Sequence, residues 1–227
     1  MEKAADAVID ASDRLVIVRD YDQAIASEHH ERLRYPPNLL AHALVLGLRG
    51  MSSTDAARRA LRDGNLLGTE EGVGQYLARL KNLPPLLPGV AEGLRLAATN
   101  GLKIYVVTEG PQEKATKTLI EHGLLEQVDQ VLSATKTVTL YRRLKTLADA
   151  ACAAMIGDQL DRDVLLARDA GLVAIWVPSA FRPKWIDPDS AVNASFVASD
   201  FLSAVRWLLE KGAEDSLPES VNSEPRL

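Results

Sequence analysis

A short apolar run that leads directly into two carboxylates constrains this chain more than any other feature. The run over residues 15–18 (Leu-Val-Ile-Val) is followed by Arg19, and then by Asp20 and Asp22 with one residue between them. Branched residues in so short a run predict a strand that is buried on both faces, inside a parallel sheet. Ligands bind beyond the carboxyl ends of such strands, and two neighbouring acids repel each other unless a cation or a shared proton compensates. The pattern indicates a site for a divalent metal and for acid–base chemistry.

Composition and charge narrow the class of protein. The chain has 227 residues, which suits one sizeable domain or a domain with a smaller insert, and its net charge of −5 argues against nucleic-acid binding. The single cysteine, Cys152, excludes an internal disulfide and a cysteine-based zinc site. We find no apolar run of membrane-spanning length and no signal peptide, so we expect a cytoplasmic protein without a membrane partner. The oligomeric state is left open by the sequence.

The segment after the two acids has a helical pattern. From residue 26 to about residue 87, apolar residues recur at helical spacing and are interrupted by glycine and proline. This pattern predicts four helices, at about residues 23–34, 38–48, 53–62 and 69–81. Residues 25–87 are therefore predicted to form a small helical lid, inserted after the first strand.

From residue 87 onward the pattern alternates between helix and strand. The predicted strands are residues 102–107, 131–132, 153–156, 173–177 and 196–197. The predicted helices are residues 88–100, 111–122, 139–150, 162–170 and 199–211. Such alternation predicts a doubly wound parallel sheet with helices on its faces. Residues 212–227 are rich in acids, serine and proline, which is typical of a flexible acidic tail.

Polar residues stand at or just beyond the ends of the predicted strands. Besides Asp20 and Asp22, these are Thr108, Lys136 and Asp158. The carboxyl ends of parallel strands share one rim, so these residues are expected to converge. Carboxylates hold a hard cation such as Mg²⁺, a hydroxyl and an ammonium bind phosphoryl oxygens, and a carboxylate can attack phosphorus.

With these positions in place, the chain resembles the haloacid dehalogenase (HAD) superfamily, in the branch with a helical C1-type cap to which phosphoglycolate phosphatases and β-phosphoglucomutases belong. The resemblance covers roughly residues 14–210. Asp20-Tyr21-Asp22 resembles the first motif of the family, Thr108 the second and Lys136 the third. The run from Gly157-Asp158 to Asp163, with Ala170-Gly171 after it, resembles the fourth. The implied fold is a Rossmann-like α/β core, residues 1–24 and 88–211, with a helical cap at residues 25–87.

The resemblance also implies a role for each residue. Asp20 would be the nucleophile and a Mg²⁺ ligand, and Asp22 would be the general acid/base, with its backbone carbonyl on the metal. Asp158 would complete the metal ligands. Thr108 and Lys136 would bind the phosphoryl oxygens. The remaining implied positions are Glu109 and Gly110 in the phosphate-binding loop, and Asp163, with Asp161 as the alternative, as a support for the metal ligands.

Four residues depart from the family pattern. Gln23-Ala24 replaces the usual Gly-Thr or Gly-Val, and Thr137 follows Lys136 where many relatives have proline. Glu109 follows Thr108 where a small or amide residue is usual, and an acid beside a phosphate site is unfavourable unless it points away or contacts an amine or a metal. Lys145 remains an alternative to Lys136.

The leading hypothesis is a Mg²⁺-dependent hydrolase of a small phosphomonoester that acts through an aspartyl-phosphate on Asp20. Because halide needs no proton when it leaves, an acid/base at Asp22 favours phosphoryl transfer over dehalogenation. Two alternatives stay open, namely a phosphotransferase such as a sugar-phosphate mutase, and a catalytically weak relative that serves as a binding or interaction protein.

Overall fold

The chain divides into two compact units. A computed structural model describes residues 11–30, 32, 35–79, 82–148, 152–179, 185 and 193–215. The first unit contains residues 1–84 and 180–187, and the second contains residues 85–179 and 188–227. In the described ranges the first unit is helical, whereas strands and helices alternate along the second.

Four helices form the described part of the first unit. They are α1 (Ala11–Glu28), α2 (Pro37–Leu48), α3 (Ser53–Asp63) and α4 (Glu70–Arg79). The last three match the predicted helices within about two residues. The Ser52 side chain accepts a hydrogen bond from the Asp55 backbone N–H at 3.2 Å and so caps the start of α3.

The strand predicted over residues 15–18 is wrong in this structure, because these residues belong to helix α1. Neither glycine nor proline interrupts residues 11–28, and burial of Ala24, Ile25 and Ala26 fixes the second half of the helix. Helical hydrogen bonding then propagates towards the N-terminus. Successive helical residues point about 100° apart, so a run of four apolar residues cannot share one buried face. Leu15 and Val16 are accordingly 51% and 63% exposed.

Small residues and one tyrosine hold the helical unit together. Ala56, Ala57 and Ala60 on α3 are fully buried in a cluster with Ile25 of α1, which lets these helices approach closely. Tyr21 of α1 crosses α2 directly over a glycine and donates a hydrogen bond to the Met51 carbonyl at 2.7 Å. A Cβ atom at Gly47 would lie 2.2 Å from the Tyr21 hydroxyl oxygen, so this crossing requires glycine.

The second unit contains all five described strands. In chain order its elements are α5 (Val90–Thr99), β1 (Tyr105–Thr108), α6 (Gln112–Glu121), a 3₁₀ turn (Leu125–Gln127), β2 (Gln130–Ser133), α7 (Val138–Leu147), β3 (Ala154–Gly157), a π-helical turn (Leu160–Val164), α8 (Leu165–Asp169), β4 (Val173–Trp176), β5 (Phe196–Val197) and α9 (Phe201–Asp215). Each predicted strand after residue 87 is present; the ends of the first four are shifted, and the last, residues 196–197, is unchanged.

All strand pairs are parallel. Strand β1 pairs with β2, and β4 lies between β3 and β5 in a separate group of three. Helix α9 packs against α5, and its Trp207 ring stacks on Phe196 of β5 with centroids 4.8 Å apart. The alternation confirms the predicted mixed α/β class, a Rossmann-like core combined with a helical insertion.

The predicted domain boundaries stay a prediction. The first boundary, between residues 24 and 25, falls inside helix α1. Along the chain, the first unit ends at Pro84 and the second begins at Pro85, close to the predicted end of the cap at residue 87. Helix α9 continues through Asp215, past the predicted end at residue 211, and the tail beyond it lies outside the described residues.

Ile25→Ala is expected to destabilise the helical unit by about 2–5 kcal/mol, because a fully buried isoleucine leaves a cavity when it is truncated. Leu48→Ala is the matched control, since Leu48 is 58% exposed and should change stability by no more than about 0.5 kcal/mol. Urea unfolding followed by circular dichroism measures both. Equal midpoints for the two variants would contradict the packing of α1 against α3.

Candidate active site

The loops that follow β1, β2 and β3 meet one another. The Ser133 hydroxyl, at the end of β2, donates to the Gly110 carbonyl in the loop after β1 at 2.8 Å. The Lys136 side chain, beyond β2, reaches Asp163 in the turn after β3. Through these contacts the polar residues at the carboxyl ends of β1, β2 and β3 come together at one rim of the second unit, as expected for parallel strands.

Thr108 is the last residue of β1, and the loop closes around it. Its Oγ1 accepts a hydrogen bond from the Gly110 backbone N–H at 3.0 Å, and its carbonyl accepts one from the Ala134 N–H at 2.9 Å. The hydroxyl is therefore fixed in a turn whose backbone is tied to the neighbouring loop. This arrangement suits a group that must present a hydroxyl at a constant position.

Lys136 and Asp163 form a nearly buried ion pair. The Lys136 Nζ atom lies 2.5 Å from Asp163 Oδ1, and the two side chains are 15% and 3% exposed. The second carboxylate oxygen of Asp163 accepts the Gln159 backbone N–H at 3.1 Å. Both oxygens thus have a donor, which a buried carboxylate requires. Lys145, the alternative lysine, instead donates to the Gly171 carbonyl at 2.9 Å.

Gly157 makes room for the Asp163 carboxylate. A Cβ atom at Gly157 would lie 2.3 Å from Asp163 Oδ2, so the Gly-Asp pair that ends β3 needs glycine for close approach. Burial raises the pKa of Asp163, and the nearby Asp158 carboxylate raises it further. The Lys136 ammonium and the Gln159 N–H oppose this rise in pKa.

Asp158 follows β3 directly and is exposed. Its carbonyl accepts a hydrogen bond from the Trp176 indole N–H at 2.9 Å, which ties the loop to the end of β4. The side chain lies close enough to Asp163 to act on its pKa. Asp158 therefore stands at the rim with Lys136 and Asp163.

Glu109 contacts one cation and one backbone N–H group of this region. One carboxylate oxygen accepts a hydrogen bond from Arg162 Nη1 in the π-helical turn, and the other accepts the Lys136 backbone N–H at 3.1 Å. The ion pair is largely buried, with side-chain exposures of 15% for Glu109 and 24% for Arg162. Sequence reasoning missed Arg162 as a site residue, although an acid beside a phosphate site called for an amine nearby.

Asp20 and Asp22 lie on helix α1 of the first unit. Asp22 Oδ1 accepts a hydrogen bond from the Tyr35 hydroxyl. Burial raises the pKa of Tyr35, and its hydrogen bond and proximity to Asp22 add to the effect. Burial also raises the pKa of Tyr21, with a smaller contribution from Asp20. Thr108, Lys136, Asp158 and Asp163 therefore lie together in the second unit. Asp20 and Asp22, the acids of the first motif, belong to the first unit.

The donor chemistry of the site fits a hard cation only in part. Asp158 supplies an exposed carboxylate, the ligand type that Mg²⁺ prefers. Within the described ranges, no group of three or more His, Cys, Asp or Glu side chains is close enough to hold a metal ion. A magnesium site would therefore need carboxylates besides those that the rim of the second unit provides.

Comparisons with known proteins agree with this architecture. The family model of the haloacid dehalogenase-like hydrolases matches residues 4–171. The protein "Probable phosphatase IndB" of Dickeya dadantii (strain 3937) is 31% identical over 172 residues, which cover 62% of this chain and 74% of that protein. In the described part of the chain, no helix is both long and apolar enough to cross a bilayer.

Solved structures share the fold at low sequence identity. A haloacid dehalogenase-like family hydrolase from Xanthomonas campestris superimposes with a TM-score of 0.55 at 17% identity, over 90% of this chain and 91% of that chain. A predicted phosphoglycolate phosphatase from Haemophilus somnus 129pt gives a TM-score of 0.53 at 18% identity, over 69% and 74% of the two chains. With the family model matching most of its length, this chain belongs to the haloacid dehalogenase-like hydrolases.

Proposed function

We propose that this hydrolase cleaves a small phosphomonoester with the help of Mg²⁺, through an aspartyl-phosphate on Asp20. The observation that carries the proposal is the rim of the second unit, where Thr108 and the Lys136–Asp163 pair stand at the ends of parallel strands. The relative from Dickeya dadantii, which is named a probable phosphatase, supports phosphatase activity.

The rim residues supply the means to hold a phosphoryl group. The Thr108 hydroxyl and the Gly110 loop would contact its oxygens, while the Lys136 ammonium would offset their negative charge. Asp163 holds Lys136 in place, so the ammonium is oriented before substrate arrives. In such a site most of the catalytic effect comes from positioning and from charge stabilisation.

Asp22 is proposed as the general acid/base. An alkoxide leaving group must be protonated, and the water that attacks the phospho-enzyme must lose a proton. Bound Mg²⁺ would offset negative charge on the phosphoryl group, with Asp20, Asp22 and Asp158 as its protein ligands. A reaction that expels halide would have no use for the acid.

The proposal has a structural requirement for residues 15–18. The resemblance to the family implies that Asp20 stands just beyond the carboxyl end of a strand, so the proposal requires residues 15–18 to form a strand in the active protein instead of the first half of helix α1. One observation supports such a strand. The apolar side chains of residues 15–18 are exposed on α1, whereas a strand inside a parallel sheet, whose two faces are covered, would bury them. We infer that the catalytically active form has residues 15–18 in this strand.

Phosphate release is the direct test of function. The purified chain is incubated with p-nitrophenyl phosphate and with a panel of sugar and nucleotide monophosphates, in Mg²⁺ or in EDTA. We expect Mg²⁺-dependent release that EDTA abolishes and that Asp20→Asn lowers by several orders of magnitude, because the nucleophile is lost. Asp13→Asn, the same change at an exposed position of the same helix, should retain full activity.

Two other results would redirect the proposal. Phosphoryl transfer to a second substrate, without release to water, would make the chain a phosphotransferase. A folded, metal-replete protein that turns over no phosphoester would contradict hydrolysis and favour a binding role.

Val16→Asp tests the strand requirement. Val16 is 63% exposed on helix α1, where a new carboxylate should change stability by no more than about 0.5 kcal/mol. In a buried strand the same carboxylate would be desolvated, so we expect loss of phosphate release and a destabilisation above about 2 kcal/mol. Leu77→Asp, on exposed α4, is the control and should be tolerated. A fully active, stable Val16→Asp protein would rule out the strand in the working form.

Lys136→Met should destabilise the chain by about 3–5 kcal/mol at neutral pH, because it leaves the buried Asp163 carboxylate without its cation. The pKa of Asp163 is already raised in the folded protein and should rise further in the variant. A raised carboxyl pKa makes the folded state bind more protons than the unfolded state, so stability falls as the pH rises through that range.

The destabilisation by Lys136→Met, measured against wild type by urea unfolding, should therefore shrink as the pH is lowered and Asp163 becomes protonated. Adding Asp163→Asn should recover much of the loss. Lys145→Met is the control, because Lys145 is only half-buried and donates to a carbonyl, not to a carboxylate, in the described contacts. A loss that does not change with pH would contradict the buried ion pair as its cause.

A further inference from the structure

We propose that Glu109 is a positioning residue for Lys136, and that the Glu109–Arg162 ion pair acts as a latch between the phosphate-binding loops. The proposal rests on the proposed phosphatase function, because Lys136 is the group whose position matters there. It assigns Glu109 a different task from contact with the phosphate.

The latch is formed by two adjacent residues of the π-helical turn, each of which makes an ion pair with a different loop. Arg162 reaches Glu109, in the loop after β1, and Asp163 reaches Lys136, in the loop after β2. A π-helical turn contains one more residue than an α-helical turn, and such turns often occur at functional sites. Here the turn points two successive side chains of opposite charge at two different loops.

Glu109 then closes the arrangement through the main chain. Its second carboxylate oxygen accepts the Lys136 backbone N–H at 3.1 Å, while the Lys136 side chain pairs with Asp163. Lys136 is consequently held at both ends, its backbone by the β1 loop and its ammonium by the π-helical turn. A long, flexible side chain such as that of lysine is positioned more accurately when both its backbone and its terminal ammonium group are held.

Charge explains why an acid is tolerated beside a phosphate site. The four side chains of Glu109, Arg162, Lys136 and Asp163 carry two positive and two negative charges, which form two ion pairs, Glu109–Arg162 and Lys136–Asp163. The carboxylate of Glu109 is thus offset by Arg162, and it does not repel an approaching phosphoryl group as an unpaired acid would. The π-helical turn is also tied to helix α7, since the Tyr141 hydroxyl donates a hydrogen bond to the Arg162 carbonyl at 3.1 Å.

The test compares Glu109→Ala with Glu109→Gln in steady-state hydrolysis of the best substrate from the panel. Glu109→Ala should lower kcat by about 10- to 100-fold, in the range seen when groups that orient a site are removed. Glu109→Gln should recover most of that loss, because its amide oxygen can still accept the Lys136 N–H. Glu113→Ala, an exposed acid on the next helix, is the control and should behave like wild type.

A double-mutant cycle with Arg162→Met separates a latch from two independent contacts. Once Glu109 is alanine, removing Arg162 should lower kcat by less than about twofold more, because the residues act as a unit. Effects that multiply independently, or a Glu109→Ala protein that matches Glu113→Ala, would overturn the proposal. An effect confined to KM would also overturn it and would return Glu109 to direct substrate binding.

Hydrogen exchange of the Lys136 amide, followed by NMR, provides a readout that needs no turnover. Exchange should be faster in Glu109→Ala than in wild type and near wild type in Glu109→Gln. Unchanged exchange in Glu109→Ala would contradict the latch. A wild-type protein that hydrolyses no phosphomonoester, yet shows this Glu109-dependent protection, would overturn the proposed function while supporting the coupling of the two loops.

Discussion

The Lys136–Asp163 ion pair is the interaction on which the rest of the candidate site depends. A carboxylate that is 3% exposed must have donors for both oxygens, and Lys136 and the Gln159 backbone provide them. Gly157 has to be glycine because the same carboxylate occupies the space of a Cβ atom. One buried charge therefore fixes a lysine, a loop backbone and the residue that ends β3.

This dependence explains why the loops, rather than the strands, give the second unit its chemistry. The described strands have at most four residues each and supply parallel hydrogen bonds with a common direction. What brings Thr108, Lys136 and Asp158 to one rim is the set of bonds between loops, of which the Glu109–Arg162 pair is one. A departure from the family pattern at Glu109 is thereby matched by a cation within the fourth motif.

In helix α1 the local sequence of residues 15–18 favours a strand, whereas the packing of the rest of the helix favours helical structure. Residues 15–18 have the composition of a buried strand, yet they continue a helix whose second half is held by Ile25 and Tyr21. The helix forms its internal backbone hydrogen bonds locally but leaves the apolar side chains of residues 15–18 exposed to water. A strand would bury those side chains at the cost of that local helix, so the free-energy balance between the two depends on how much apolar surface the strand buries.

The sequence by itself determined the alternation of strands and helices after residue 87 and the helices α2 to α4. Periodicity and proline or glycine breaks are local signals, and no distant partner is needed to read them. Family motifs in the sequence also located Thr108, Lys136, Asp158 and Asp163, which the structure brings to neighbouring loops. Only the tertiary structure decided that Glu109 pairs with Arg162 and that residues 15–18 are helical here. Both outcomes depend on contacts between segments far apart in the chain, such as the 53-residue separation of Glu109 and Arg162, which no local pattern encodes.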